Sequence, residues 1–282
     1  MAKDKYTAVW VSHSSMGDFL KCPRAYYLHY VYKDPKTGRK QNIVNPFLSL
    51  GQVVHETLES LKTIPSEERM NRDLLSDFER IWGKVTGKKG GFTSQPEESE
   101  LKARGKQMIE RVINKPGPLN NKTVQIKQGH NNMPSNFYLS DDENIILCGL
   151  IDWVEYVDID DSVRILDFKT GKQDENDGSL QLPIYLLLLN ALQGRKVSGA
   201  SYWYLDRDNS PTPMELPDID EARRKVLSVA LNVKKARDNM EFGCPQGDKG
   251  CFACRPYEAI LSGEAEYLGI AGFGQDTYFL PK

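Results

Sequence analysis

The chain has 282 residues, with 37 Lys and Arg against 39 Asp and Glu, a formal net charge of −2. Its 39% apolar, 10% aromatic and 27% charged content excludes a disordered or fibrous chain. The charge balance excludes a uniformly basic nucleic-acid coat and leaves room for a local basic groove.

The first residues, Met1–Lys5, lead into no apolar signal region. The longest apolar run, Ile184–Leu189, falls far short of the roughly 20 residues of a membrane span. A cytoplasmic chain with no membrane partner is therefore expected. At about 150 residues per domain the length allows one large domain or two small ones.

Residues 14–32 read as a helix that Ser14 or Ser15 can cap, with Phe19, Leu20, Tyr26, Tyr27 and Tyr30 at helical spacing. Pro23 interrupts it, so the helix can restart there. Residues 47–61 form a second amphipathic segment, with Phe47, Leu50, Val54, Leu58 and Leu61 on one face. A third helix is predicted over 71–82. From Gly83 a loop rich in Gly, Lys, Ser and Glu begins, and a helix resumes by Leu101. Lys84, Lys88 and Lys89 in that loop are placed to touch phosphates, or form a solvated surface.

From Val124 the periodicity changes. Residues 145–157 and 163–169 are rich in Ile, Leu and Val around a turn at 158–162, which predicts an antiparallel hairpin. A loop over 171–178, an apolar helix over 180–192, a strand over 197–205, a proline-marked loop and a long helix over 219–240 follow. Asp218 or Asp220 can cap that last helix. This order suits a mixed α/β domain with a helical N-terminal part.

In a strand, alternate residues share a face, so Asp167 and Lys169 point one way while Leu166 and Phe168 point the other. Asp152 lies on the neighbouring strand of the hairpin. Two carboxylates and an ammonium at one spot suit a divalent metal such as Mg²⁺ or Mn²⁺ acting on a phosphodiester. An ordinary Asp167–Lys169 salt bridge is the plainer reading of that pair alone. Gln181 and Tyr185 are four apart and share a helix face, where they can support the site or serve as capping and core residues. His55 sits between Val54 and Leu58 on a helix, either as a structural imidazole or as a metal ligand.

There are five cysteines. Cys244, Cys251 and Cys254 follow C-x6-C-x2-C, and Cys22 stands far upstream. Without a secretion signal a disulfide framework is not expected. Four thiols fit a 4Fe–4S cluster or a structural Zn²⁺ that clips the two halves of the chain together. Cys148, in an apolar strand, reads as a buried core residue.

Taken together, these motifs resemble the RecB-like PD-(D/E)XK nuclease family in its iron–sulfur branch, which includes AddB-type nuclease domains and CRISPR spacer-acquisition exonucleases. Ser15–Tyr30 with Cys22-Pro23-Arg24 is similar to the family's N-terminal cysteine motif. Gly51–His55 resembles G-x-x-x-H, Gly149–Asp152 resembles G-x-x-D, Asp167-Phe168-Lys169 resembles D-x-K, and Gln181–Tyr185 resembles Q-x-x-x-Y.

The resemblance implies a restriction-endonuclease-like α/β fold: a mixed sheet flanked by helices, a helical N-terminal part and a cysteine-clipped C-terminal tail. It implies one nuclease domain over 1–282, divided into a helical part (1–120), a catalytic core (121–240) and a cysteine-rich tail (241–282). His55, Asp152, Asp167 and the Phe168 carbonyl would be metal ligands and Lys169 the catalytic lysine. Gln181 and Tyr185 would support the site and contact DNA. Cys22, Cys244, Cys251 and Cys254 would hold the 4Fe–4S cluster.

The implied activity is exonucleolytic cleavage of single-stranded DNA or DNA ends with Mg²⁺ or Mn²⁺. The chain departs from the family pattern twice. Ile260 stands where relatives often carry the last cysteine, and Val124–Gln128 lacks the glutamate many relatives have before G-x-x-D. No Gly-x-x-x-x-Gly-Lys-Ser/Thr stretch is present, so unwinding would need a helicase partner, or the chain would serve CRISPR adaptation or recombination proteins. A catalytically silent DNA-end-binding or assembly module and a zinc-stapled nuclease are the competing readings.

Overall fold

Ser12 opens the first helix, upstream of the predicted Ser14 or Ser15. The computed structural model describes residues 4–126 and 134–281. Met1–Lys3 of the signal-region reading, Lys127 and Gln128 of the segment without glutamate, and Lys282 of the tail lie outside the described residues. A short strand β1 (Val9–Val11) leads into α1 (His13–Lys21). Ser12 and Ser15 each accept the other's backbone N–H, forming a reciprocal capping box. The break at Pro23 occurs as expected. Cys22 is extended, and the chain restarts as α2 (Pro23–Tyr26) before a wide turn to Val31.

Strand β2 (Gln41–Ile43) precedes α3 (Pro46–Glu59), whose cap is Asn45 Oδ1 accepting from the Phe47 and Leu48 N–H groups. Next comes α4 (Leu74–Trp82). Helix α5 (Gln95–Asn114) starts well before the expected Leu101. Ser94 caps it by accepting the Glu97 N–H, and Pro96 suits a first turn. Two of the three loop lysines are held by carboxylates, Lys84 by Glu56 and Lys88 by Glu266, which favours the solvated-surface reading.

The largest departure lies at 145–157. Expected as one strand, it is two, in different sheets. With β3 (Ser135–Ser140), β4 (Ile145–Gly149) forms a sheet of order β1-β4-β3, parallel to β1 and antiparallel to β3. The second piece, β5 (Trp153–Val157), pairs antiparallel with β6 (Ser162–Lys169), the hairpin that the sequence predicts. Helix α6 (Gln181–Leu192) crosses over to β7 (Val197–Tyr204), which runs parallel to β6. The proline-marked loop contains an edge strand β8 (Thr212–Met214), where Pro213 is tolerated because an edge residue need not donate to a neighbour on both sides.

Alternation along β6 divides the core. Leu166 and Phe168 pack with Trp153, Trp203 and Leu205 against α3, α4 and α5, while Val163 and Ile165 pack with Ala200 and Tyr202 against α6 and α7 (Ile219–Asn239). The result is a mixed sheet with helices on both faces, as expected. Cys148 is half-buried rather than fully buried, and its thiol donates to the Val11 carbonyl at 3.4 Å.

The tail forms α8 (Arg255–Leu261) and the strands β9 (Glu266–Ala271) and β10 (Gln275–Phe279). Strand β10 pairs in parallel with β2, and Arg39 binds the fully buried Asp276 at 2.8 Å. No helix among the described residues is long and apolar enough to cross a membrane.

Candidate active site and cysteine centre

The β5–β6 register pairs Trp153 with Leu166, so the next position outward sets Asp152 across from Asp167 on the α6 side of the sheet. Asp152 Oδ2 accepts the Phe168 N–H at 2.9 Å, which fixes the carboxylate against the strand end. The chain can turn at 149–152 because Gly149 passes close to α6: an added Cβ would lie 2.9 Å from Leu188 Cδ1. Helix α3 brings His55 over the same end. At Gly51 a Cβ would approach Thr170 Oγ1 to 3.2 Å, so glycine lets the helix lie against the residue after Lys169.

Asp152 Oδ1 is 3.2 Å from His55 Nδ1. On the facing strand Asp167 Oδ1 accepts from Gln181 Nε2 at 2.7 Å, and Asp167 Oδ2 is 3.0 Å from Lys169 Nζ. Lys169 Nζ also donates to Glu175 Oε2 at 2.8 Å and to Gln181 Oε1, and Gln181 Nε2 is 3.1 Å from the Tyr185 hydroxyl. His55, Asp152, Asp167, Lys169, Gln181 and Tyr185 thus line one open cleft of about 380 Å³, together with Glu175 and Phe168. The Phe168 ring points into the helical core, edge-on to His55 at 6.0 Å. The plain Asp167–Lys169 salt bridge is present too, inside the larger network.

Electrostatics set these groups apart. Burial raises the Asp167 carboxyl, and the charge of Asp152 raises it further, to about 7. Burial works to lower His55, yet the Asp152 carboxylate outweighs it and lifts the imidazole to about 9. Asp152 resists burial in the same way and is held low by His55. In metal-free protein the His55 imidazole is accordingly expected to titrate near 9 by NMR. Asp152→Asn should lower it from there, since the charge and hydrogen bond that chiefly oppose burial are lost. A wild-type titration near 6.5 would contradict the pairing.

The donor set suits a divalent cation. Asp167 is only 1% exposed, and its Oδ2 accepts no hydrogen bond of good geometry despite the nearby ammonium. That oxygen is balanced only by the Lys169 ammonium, and two buried carboxylates beside an imidazole are donors that a divalent cation takes.

Sequence reasoning missed three site residues. Glu59 stands one helical turn after His55, 4.0 Å from its Nδ1, a spacing legible in hindsight. Glu175 carries no signal beyond being one acid in a polar loop. Arg104, from α5, donates to the Thr170 carbonyl at 2.6 Å and to Asp206 at 2.7 Å, so it holds the end of β6 in place.

The four cysteines singled out in the sequence converge. Ligand sulfurs of Cys22, Cys244, Cys251 and Cys254 all lie within 4.8 Å of one another, and all but Cys244 are fully buried. Cys254 Sγ is 3.8 Å from Cys244 Sγ and 3.9 Å from Cys251 Sγ. The Cys251 N–H donates to Cys254 Sγ, and the Gln246 N–H donates to Cys244 Sγ. Backbone N–H groups lower the Cys251 thiol to about 7, whereas burial pushes Cys22 up to about 12. Amide donors aimed at gathered sulfurs suit thiolates bound to a metal centre. Arg24 clamps the tail beside them, reaching Glu258 at 2.9 Å and the Asp248 carbonyl at 3.2 Å.

The profile of the PD-(D/E)XK nuclease superfamily matches residues 10–259. The chain is also 27% identical over 272 residues to a subunit of the ATP-dependent helicase/deoxyribonuclease of Clostridium tetani (strain Massachusetts / E88). That alignment covers 83% of this chain and 23% of the relative, so the chain spans about a quarter of the relative's length.

Proposed function

The chain belongs to the PD-(D/E)XK nuclease superfamily, and from that premise we propose that it is a metal-dependent deoxyribonuclease, acting as an exonuclease on single-stranded DNA or DNA ends. The observation that carries this reading is the meeting of Asp152, Asp167 and Lys169 at one end of the sheet, two buried carboxylates and an ammonium in one cleft. His55, Asp152, Asp167 and the Phe168 carbonyl would hold the cation. Bound there, Mg²⁺ or Mn²⁺ would supply an activated water and offset charge on the scissile phosphate.

The remaining work falls to the chain's own groups. Burial opposes the Lys169 ammonium, but Asp167 and Glu175 keep it charged, so it offers a fixed positive charge to a phosphate oxygen and N–H donors to orient a water. Gln181 bridges Asp167 and Lys169, which holds acid and ammonium in register. Tyr185 backs Gln181 from within the core and stays protonated, because burial raises it well above the ordinary phenol range. A silent DNA-end-binding module gains nothing from buried carboxylates beside phosphates, which argues against that reading.

End-labelled single and double strands, incubated with Mg²⁺, Mn²⁺ or EDTA, test the proposal. Shortening from an end with either ion and none in EDTA is expected. Binding without cleavage under all conditions would favour the silent module. The relative's name couples a helicase to a deoxyribonuclease, and a helicase partner is part of the proposal, as is a cytoplasmic location that keeps the thiols reduced.

For the cysteine centre the resemblance favours a 4Fe–4S cluster in a structural role. One observation favours a second reading. Sulfurs 3.8 and 3.9 Å apart match the edge of a tetrahedron around a single ion, about 3.8 Å for Zn–S bonds of about 2.3 Å. Anaerobically purified protein decides between them: brown with broad visible absorbance for the cluster, colourless for zinc.

A further inference from the structure

We propose that a cavity beside β1 and the first turn of α1, away from the carboxylate cleft, binds a nucleotide, with its phosphate among Lys33, Lys40 and Arg237 and its base against Trp10. The inference does not depend on a metal in the cleft.

The cavity measures about 500 Å³, a size that suits a nucleotide. Strand β1 supplies Trp10, whose Nε1 donates to the Lys5 carbonyl at 3.1 Å and so fixes the indole. The wall opposite holds Tyr26 and Tyr30, which stack on each other at 5.3 Å. Ser12 and Ser15 also line it, whereas His13 between them places its Nε2 3.5 Å from Ser179 Oγ, on the segment that leads from Glu175 to Gln181. The first turn of α1 therefore stands between cavity and cleft.

Two observations point to an anion carried on an aromatic ring. The first is charge. Lys33, Lys40 and Arg237 share the cavity, and no Asp or Glu among the described residues lines it. The acids next to them in sequence are committed elsewhere: Asp34 accepts the Lys36 and Thr37 N–H groups, and Asp238 holds Lys234 at 2.5 Å. Burial disfavours the Lys40 ammonium, and the Arg237 and Lys33 charges disfavour it further. Like charges gathered in a half-buried pocket repel one another until an anion offsets them. Arg237 Nη1 donates to the Tyr26 hydroxyl at 3.4 Å, which keeps the guanidinium at the wall. The second observation is Trp10 itself. It is half-buried at this cavity, while Trp82, Trp153 and Trp203 are fully buried in the core. Any base can stack on such a ring, and the cations take the phosphate. A DNA strand and a free nucleoside monophosphate both carry this pair of groups.

Titration of the whole chain with dAMP in EDTA, by calorimetry and by tryptophan fluorescence, tests the site without reference to cleavage. Without a cation the cleft offers carboxylates to a phosphate, so binding there is disfavoured. Wild type is expected to bind dAMP with quenching of Trp10. Deoxyadenosine and inorganic phosphate, each lacking one half of the ligand, should bind about tenfold more weakly or less. Lys40→Met removes an unpaired charge, so the fold should hold, and dAMP should bind about tenfold more weakly or less. Displacement of dAMP by a 5′-phosphorylated single strand but not by its 5′-hydroxyl counterpart would assign the site to a strand end, and displacement by both to nucleotides within a strand. Displacement by neither would assign it to the free nucleotide. Absence of dAMP binding in wild type, or unchanged affinity in Lys40→Met, would overturn the proposal and leave the nuclease reading untouched.

Discussion

Asp167→Asn is expected to slow cleavage by about 10²-fold or more and at the same time to raise the melting temperature of the metal-free protein. The carboxyl is buried, faces Asp152, and leaves one oxygen without a hydrogen bond. Its pKa rises from an ordinary 3.8 to about 7 in the fold. A native state that holds a proton more tightly than the unfolded chain loses stability as pH rises. That loss begins near 3.8, is complete above about 7, and vanishes below 3.8, where both states are protonated.

The asparagine removes the charge while its Oδ1 can still accept from Gln181. The gain should therefore be largest above pH 7 and absent in acid, with each 1 kcal/mol appearing as about 2–4 °C for a chain of this size or somewhat smaller. The rate should fall by about 10²–10³-fold or more, the scale of losing one preorganised charged group. Lys169→Ala should cost a similar factor in rate but lower the melting temperature, because it strips Asp167 of its counter-charge. Equal stability changes in the two variants, or retained cleavage in Asp167→Asn, would contradict this account of the site.

Cys251→Ser is expected to release the tail. The centre joins the α1–α2 break at Cys22 to the segment before α8, and few apolar residues reinforce that joint: its buried cluster is Cys22, Ala25, Cys251 and Cys254. Loss of one thiolate removes the metal's folding contribution, which reaches about 10 kcal/mol for structural zinc in small domains. The variant should lose metal, become soluble only in small amounts, and expose residues beyond 240 to limited proteolysis. Full metal content with an intact tail in Cys251→Ser would show that the clip is not structural.

Much of this site was legible because its residues obey local rules. Asp167 and Lys169 share a strand face, Gln181 and Tyr185 a helix face, and Gly51 and Gly149 precede His55 and Asp152 at the points of close approach. The apolar α6 and the β5–β6 hairpin followed from periodicity for the same reason.

Other parts depended on contacts distant in sequence. The division of 145–157 between two sheets is set by pairing with Val9–Val11 and Ser135–Ser140, which no local pattern announces. Strands β9 and β10 were missed because β9 is largely exposed and β10's other partner, β2, has only three residues. Glu175 reaches Lys169 from a loop whose course only the fold determines.

The cysteine centre also imposes an order on biosynthesis. Some 220 residues separate Cys22 from Cys244, which at about 5–20 residues per second leaves the first thiol without its companions for about 10–45 s during synthesis. Metal insertion must then wait until the segment around Cys254 has been made. A cell short of reductant would be expected to lose this protein at the nascent stage, before a catalytic cleft exists to be damaged.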